Sequence, residues 1–253
     1  MLRLQQLTTG YGKTVVSSQL SCTLPTASLT VLMGTNGAGK STLLRTLAGF
    51  IRPISGSVCC GENNITHLTP RELAKTLSVV LTFRPTADAL TVQEVVEMGR
   101  MPYAQFFAKS TPADAQAIER AMQLTQTQDL AHRFVNTLSD GERQRVFIAK
   151  ALAQNTPNIL LDEPTAFLDY GSKVETLQML RSLCHDNGKT ILLSTHDLEL
   201  ALQIADDLWV MTHERLITGP TAALAADGTL SRFIDKRGIR FDPATMTIRV
   251  VAE

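Results

Sequence analysis

Gly34-Thr35-Asn36-Gly37-Ala38-Gly39-Lys40-Ser41-Thr42, directly after the apolar stretch Leu29–Met33, is the run from which the fold can be read. It fits G-x-x-x-x-G-K-[ST], the phosphate-cradling P-loop. Glycines let the backbone turn tightly, so that several N–H groups converge on one anion. A helix starting near Lys40 adds the positive end of its dipole. In this pattern Lys40 reaches the β- and γ-phosphates of a nucleotide, and the Ser41 hydroxyl ligates Mg²⁺. Two other Gly-Lys-Thr runs, at Gly12 and Gly188, carry Leu7 and Leu183 where the first glycine belongs. Only the run at Gly34 lies between an expected buried strand and an expected helix. A glycine-rich structural turn is the alternative to a nucleotide site.

Apolar runs of strand length recur on either side of this loop. Leu29–Met33, Leu77–Leu81, Ile159–Leu161, Ile191–Leu193 and Leu208–Met211 read as buried parallel strands. Helical patterns separate them: Ser41–Ala48, Glu142–Ala153, Val174–Cys184 and Leu198–Ala205. The alternation predicts an α/β fold with a parallel-sheet core. In the opening third, Leu2–Leu7, Thr14–Cys22 and Gly56–Cys60 are short extended runs broken by glycine or proline, which predicts an N-terminal antiparallel β subdomain. Thr91–Asp129 carries helical periodicity alone, so a helical subdomain is expected over about residues 86–140. Asp242-Pro243-Ala244-Thr245 between two extended runs predicts a C-terminal hairpin over about 238–251. No internal repeat is present, so the whole of 1–253 is read as one domain with one P-loop.

Composition narrows the class. The 24 basic and 24 acidic side chains balance, which gives no global attraction to nucleic acid or anionic lipid. Cys22, Cys59, Cys60 and Cys184 have no C-x-x-C spacing, so no zinc site is expected and a reduced cytosolic state is the simplest reading. Met1–Gly10 does not read as a signal peptide. No apolar run approaches the roughly 18 residues of a membrane span. Any membrane role is therefore expected to come through partners.

Ile159-Leu160-Leu161-Asp162-Glu163 supplies a second phosphate element, a strand ending in two carboxylates. Asp162 at the tip suits Mg²⁺, directly or through water. Glu163 points the other way and suits a base that orients and deprotonates the attacking water. Without the P-loop upstream, the same pair would read as the start of a solvated loop.

With these elements in order, the sequence resembles the ATP-binding cassette (ABC) ATPases over almost its whole length. Leu138-Ser139-Asp140-Gly141-Glu142-Arg143-Gln144 resembles the family signature at a helix start. Asp162-Glu163-Pro164-Thr165 with Leu168-Asp169 resembles the Mg²⁺ strand and its loop, and Ser194-Thr195-His196-Asp197 the switch-histidine segment. The resemblance implies bound ATP and Mg²⁺. Tyr11 would stack on adenine. Gly34, Asn36, Gly37, Ala38, Gly39, Lys40, Ser41 and Thr42 would hold its phosphates. His196 would contact the γ-phosphate, and Glu163, His196 and Lys40 would carry catalysis. It further implies that Ser139 and Gly141 grip the ATP of a neighbouring copy, so that two copies of the ATPase subunit sandwich two nucleotides. Ser139 and Glu142 also form S-x-x-E, a capping box, which is the purely structural reading of that helix start.

Two positions depart from the family pattern. Asp140 stands where the signature has its first glycine; its carboxylate is expected to turn outward or cap the helix. Thr82 stands where a glutamine links Mg²⁺ to the membrane partner, and its shorter hydroxyl would reach the metal through water.

Thr91–Tyr103, with Gly99-Arg100-Met101-Pro102-Tyr103, resembles the subfamily that energises iron-chelate, haem and cobalamin importers. That resemblance implies two integral-membrane permease subunits and, through them, an extracytoplasmic substrate-binding protein. No nucleic acid is expected as a partner. The subunit would sit peripherally on the cytoplasmic face of the inner (plasma) membrane. Arg100–Tyr103 is read as a permease-docking run, with a proline-broken helix as the alternative. The competing functional class is a soluble ABC ATPase acting on nucleic acid or a cytosolic assembly.

Overall fold

The computed structural model describes residues 1–82, 89–104 and 111–251. Strands β1 (Leu2–Tyr11) and β2 (Thr14–Leu24) form a long antiparallel pair, followed by β3 (Leu29–Gly34) and helix α1 (Lys40–Leu47). Then come β4 (Ser55–Cys60), β5 (Asn63–Asn64), α2 (Pro70–Leu73) and β6 (Leu77–Val80). The helical stretch holds α3 (Val92–Glu97), a 3₁₀ segment over Met98–Tyr103, α4 (Pro112–Leu124) and α5 (Asp140–Ala153). The expected start of the helical subdomain near residue 86 lies outside the described residues. The core resumes with β7 (Asn158–Asp162), α6 (Tyr170–His185), β8 (Thr190–Ser194), α7 (Leu198–Ile204) and β9 (Asp207–Met211). It closes with β10 (Leu216–Pro220), α8 (Thr221–Ala226), α9 (Thr229–Ile234) and the pair β11 (Ile239–Asp242) and β12 (Thr247–Val250).

The central sheet runs β10-β9-β3-β8-β7-β6, parallel except at the β9/β10 edge. All five apolar runs are strands of it. The sixth strand, β10, carries Gly219 and Pro220, which break the apolar pattern and suit an edge. Because side chains alternate along a strand, each run feeds two cores. Val31, Ile159, Leu161, Ile191, Leu193 and Val210 face the helices, meeting Ile148, Leu177 and Leu180. Leu32, Leu160, Leu192 and Trp209 face the other way, against Leu2, Leu4 and Leu7 of the antiparallel sheet β2-β1-β4-β5 and Leu43 and Leu47 of α1. A sheet buried on both faces explains why its strands read as continuous apolar runs.

Register decides where the polar ends fall. Leu32 lies opposite Ser194, and Ser194 opposite Asp162. The loop after β3, the tip of β8 and the tip of β7 therefore converge at the carboxyl edge of the sheet, where open α/β sheets place their ligands.

The run Gly99–Tyr103 folds inward. Arg100 donates to Asp114 Oδ1 (2.8 Å) and to the Ala153 carbonyl (2.8 Å), and its guanidinium lies 4.0 Å from the centre of the Tyr103 ring. The Tyr103 hydroxyl donates to the Gln154 carbonyl at 3.0 Å. Both side chains thus tie the helical stretch to α5, and Met101 is the exposed member of the run.

Candidate active site

Gly39 is the N-cap of helix α1, and its φ of 100° is open to glycine; a Cβ there would lie 2.6 Å from Val16 Cγ1. No side chain caps this helix, so its first amides face the mouth of the loop. Lys40, buried to 7% exposure, donates from Nζ to the carbonyls of Gly34 (3.0 Å) and Thr35 (3.2 Å). Burial lowers its pKa, and the nearby carboxylates of Glu163 and Asp162 oppose that shift. The buried Thr35 hydroxyl has no partner among the described residues. An uncapped helix start, a buried cation and an orphan hydroxyl in one turn fit a polyanionic phosphate group.

Ser194 organises the acidic side. Its Oγ donates to Asp162 Oδ1 at 2.7 Å and accepts from the Glu163 N–H at 3.0 Å. Glu163 adopts φ 49°, a left-handed conformation uncommon for glutamate, and the Ser194 bond helps hold it there. The Glu163 carboxylate then meets His196, with Nε2 to Oε1 at 2.7 Å. On the other flank, Thr82 Oγ1 donates to the main-chain oxygen of Asp162 at 2.8 Å. Asp162 is 9% exposed at the strand end, and a hard cation held by carboxylate and hydroxyl oxygens suits this donor set.

Lys40, Asp162, Glu163 and His196 therefore come together. Tyr11 stands against α1. The side chains of Thr42 and Arg45 bond its hydroxyl and hold its pKa below the ordinary tyrosine value, while about half of the residue remains exposed. Asn36, Gly37 and Ser41 are exposed, Ala38 and Thr42 buried. A cleft of about 1020 Å³ opens beside the loop, lined by Gly34, Thr35, Asn36 and His196 and by the C-terminal Ile239 and Ile248.

Ser139 and Gly141 do not line that cleft. Ser139 caps α5: its hydroxyl and N–H both donate to Glu142 Oε2 at 2.8 Å, which holds the Glu142 carboxyl below its ordinary pKa. Asp140 lies along its own helix, 3.6 Å from Arg143, so the carboxylate that replaces a glycine is charge-partnered. Gly141 abuts α6, where a Cβ would stand 3.2 Å from Ser172 Oγ.

Sequence reasoning did not single out Ser194 as the organiser, although it had a signal, a hydroxyl closing the apolar run Ile191-Leu192-Leu193.

The family model described as ABC transporter matches residues 17–166. The ferric enterobactin transport ATP-binding protein FepC of Escherichia coli is 38% identical over 216 residues, 85% of this chain and 80% of the relative. The iron(3+)-hydroxamate import ATP-binding protein FhuC of Bacillus subtilis is 36% identical over 221 residues, 87% of this chain and 82% of the relative. A dimeric bacterial ABC transporter cassette superposes with a TM-score of 0.71 at 26% identity, covering 87% of this chain and 99% of that one.

Proposed function

The chain belongs to the ABC transporter family, and from that premise we propose that it is the ATP-hydrolysing subunit of a membrane importer, closing as a dimer around two ATP. Its cargo class is an iron-siderophore, haem or cobalamin, the first being what the relatives named above support. The observation that carries the catalytic reading is the bonded chain from Ser194 through Asp162 and Glu163 to His196, beside a buried lysine.

Each residue then has a task. Gly34, Asn36, Gly37, Ala38, Gly39, Lys40 and Thr42 bind the phosphates through backbone amides and the lysine charge, and Tyr11 stacks on adenine. Ser41 and Asp162 would hold Mg²⁺, with Thr82 reaching it through water; bound Mg²⁺ neutralises charge that develops on the triphosphate. Glu163 orients the attacking water and takes its proton, an effect of about 10²–10⁴ in rate. His196 fixes the Glu163 carboxylate and contacts the γ-phosphate. Ser139 and Gly141 grip the γ-phosphate of the second copy, so closure depends on the group that hydrolysis removes. One P-loop and one signature per chain support that two-copy arrangement.

We assign 1–253 to one ABC ATPase domain, with a helical subdomain over about 86–140 and a C-terminal hairpin over about 238–251. No helix among the described residues is long and apolar enough to cross a membrane. The subunit works peripherally at the cytoplasmic face, docked on two permease subunits that receive cargo from an extracytoplasmic binding protein; nucleic acid has no part. The test is to trap Glu163→Gln with ATP and Mg²⁺ and recover it from solubilised membranes. A multi-span permease should accompany it. Recovery of soluble protein or nucleic acid alone would overturn the importer reading.

A further inference from the structure

Helix α4 turns Ala113, Ala117 and Ala121 to one side, with Arg120 and Leu124 beside them. Methyl side chains at this spacing leave room, and a cavity of about 520 Å³ opens against Leu152, Asn155, Asn187 and Lys189. Asn155 follows α5 and Lys189 precedes β8, so the cavity lies toward the amino edge of the central sheet. The nucleotide loop converges on the carboxyl edge, where Ser194 closes the same strand. The two places share no lining residue.

The charges around this cavity are unbalanced. The half-buried Lys189 donates from Nζ to the Thr156 carbonyl at 2.9 Å and to Asn155 Oδ1 at 3.5 Å. Arg120 donates from Nη2 to Asn187 Oδ1 at 3.3 Å. These partners are neutral oxygens, and among the described residues no ion pair joins either cation to a carboxylate. Arg100 also lines the wall, yet Asp114 meets its charge at 2.8 Å. Glu119, next to Arg120 in sequence, lies on a different groove, with Gln93 and Met122. Burial lowers the Lys189 pKa, and the positive charge of Arg120 lowers it further. Like charges close enough to feel each other, with no acid between them, are relieved by an anion.

A phosphate suits that place. Arginine presents a fork of N–H donors and lysine a point charge, and the asparagine amides carry further N–H groups. The volume is that of a small-molecule site, larger than phosphate alone needs, and Leu124 and Leu152 offer apolar surface to whatever carries the phosphate. We propose that this cavity binds the phosphate group of a small ester or a lipid headgroup between Arg120 and Lys189. The inference stands apart from the nucleotide reading, because it uses none of the same residues.

The test labels the full chain with ¹⁵N-asparagine, which places Asn155 and Asn187 at the cavity and Asn36 at the nucleotide loop. Inorganic phosphate, replacing chloride at constant ionic strength, should shift the Asn155 and Asn187 signals saturably. Arg120→Gln and Lys189→Gln should each weaken that binding about tenfold, the loss of one charged donor. The Asn36 signal, and its own response to phosphate, should stay as in wild type, which reports that each variant is folded. Absence of a saturable shift at the cavity, or wild-type affinity in both variants, would overturn the proposal. Two further probes identify the carrier. Glycerol 3-phosphate binding more tightly than inorganic phosphate, without capture by vesicles, assigns a soluble ester. Arg120-dependent sedimentation with phosphatidylglycerol vesicles, and none with phosphatidylcholine, assigns a lipid headgroup.

Discussion

Ser194 holds two carboxylate residues with one hydroxyl, and that economy makes it vulnerable. Replacing it by alanine leaves Asp162 without its donor and the Glu163 N–H without its acceptor. A buried group stripped of its partner costs about 1–3 kcal/mol. Ser194→Ala should therefore lower the melting temperature, and turnover should fall about tenfold or more as Glu163 leaves its aim. Nucleotide affinity measured without Mg²⁺ should stay near wild type, since no P-loop bond involves Ser194. Glu163→Gln separates the two functions further: turnover should vanish while ATP-dependent dimerisation persists, and turnover that survived would remove the general-base assignment. At this scale the sequence was legible wherever the chemistry is local. Gly34–Thr42 and Asp162–Glu163 are consecutive residues, readable without a fold. The bond from Ser194 to Asp162 spans 32 positions and exists only through the β7–β8 register.

Among the elements, the junction of the helical stretch with α5 is held by a polar cluster away from the nucleotide loop. Arg100 and Asp114 are each mostly buried, and Asp114 also closes the capping box of α4 with Thr111. Bonds from the Thr111 hydroxyl and N–H, then Arg100, hold Asp114 down to about 2. Its folded-state pKa lies below that of an unfolded aspartate near ~4. Its contribution to stability is therefore full above about pH 4 and lost as pH falls toward 2. Asp114→Asn should lower the urea midpoint at pH 7, and the gap from wild type should narrow between pH 4 and pH 3. Arg100→Ala, which removes one donor from Asp114 and one from the Ala153 carbonyl, should cost about 2 kcal/mol. That corresponds to a melting temperature lower by about 4–8 °C in scanning calorimetry. The order of strands and helices was readable because the central strands are apolar on both faces. Others were not read, among them α2, α8, α9 and β10, whose Gly219 and Pro220 interrupt the pattern, and the inward turn of Arg100 and Tyr103, which the motif alone left divided between docking and helix breaking.

For the whole molecule, the separation of Ser139 and Gly141 from the chain's own cleft has a kinetic signature. If each nucleotide is completed by the second copy, the two sites are filled cooperatively. Turnover against ATP concentration should then be sigmoidal, with a Hill coefficient above 1 and at most 2. A hyperbolic curve at concentrations where the protein is monomeric without ATP would argue for hydrolysis by single chains. The cleft itself could not be foreseen, because its apolar wall is assembled from Leu198, Phe233, Ile239 and Ile248, residues spread over four separate elements.

Phe50, Met101 and Phe167 stand 60%, 68% and 79% exposed on this chain. Large apolar side chains left in water favour self-association and capture by the quality-control machinery. Made alone, the subunit should therefore aggregate more readily than a variant with polar residues at positions 50, 101 and 167, which light scattering would check.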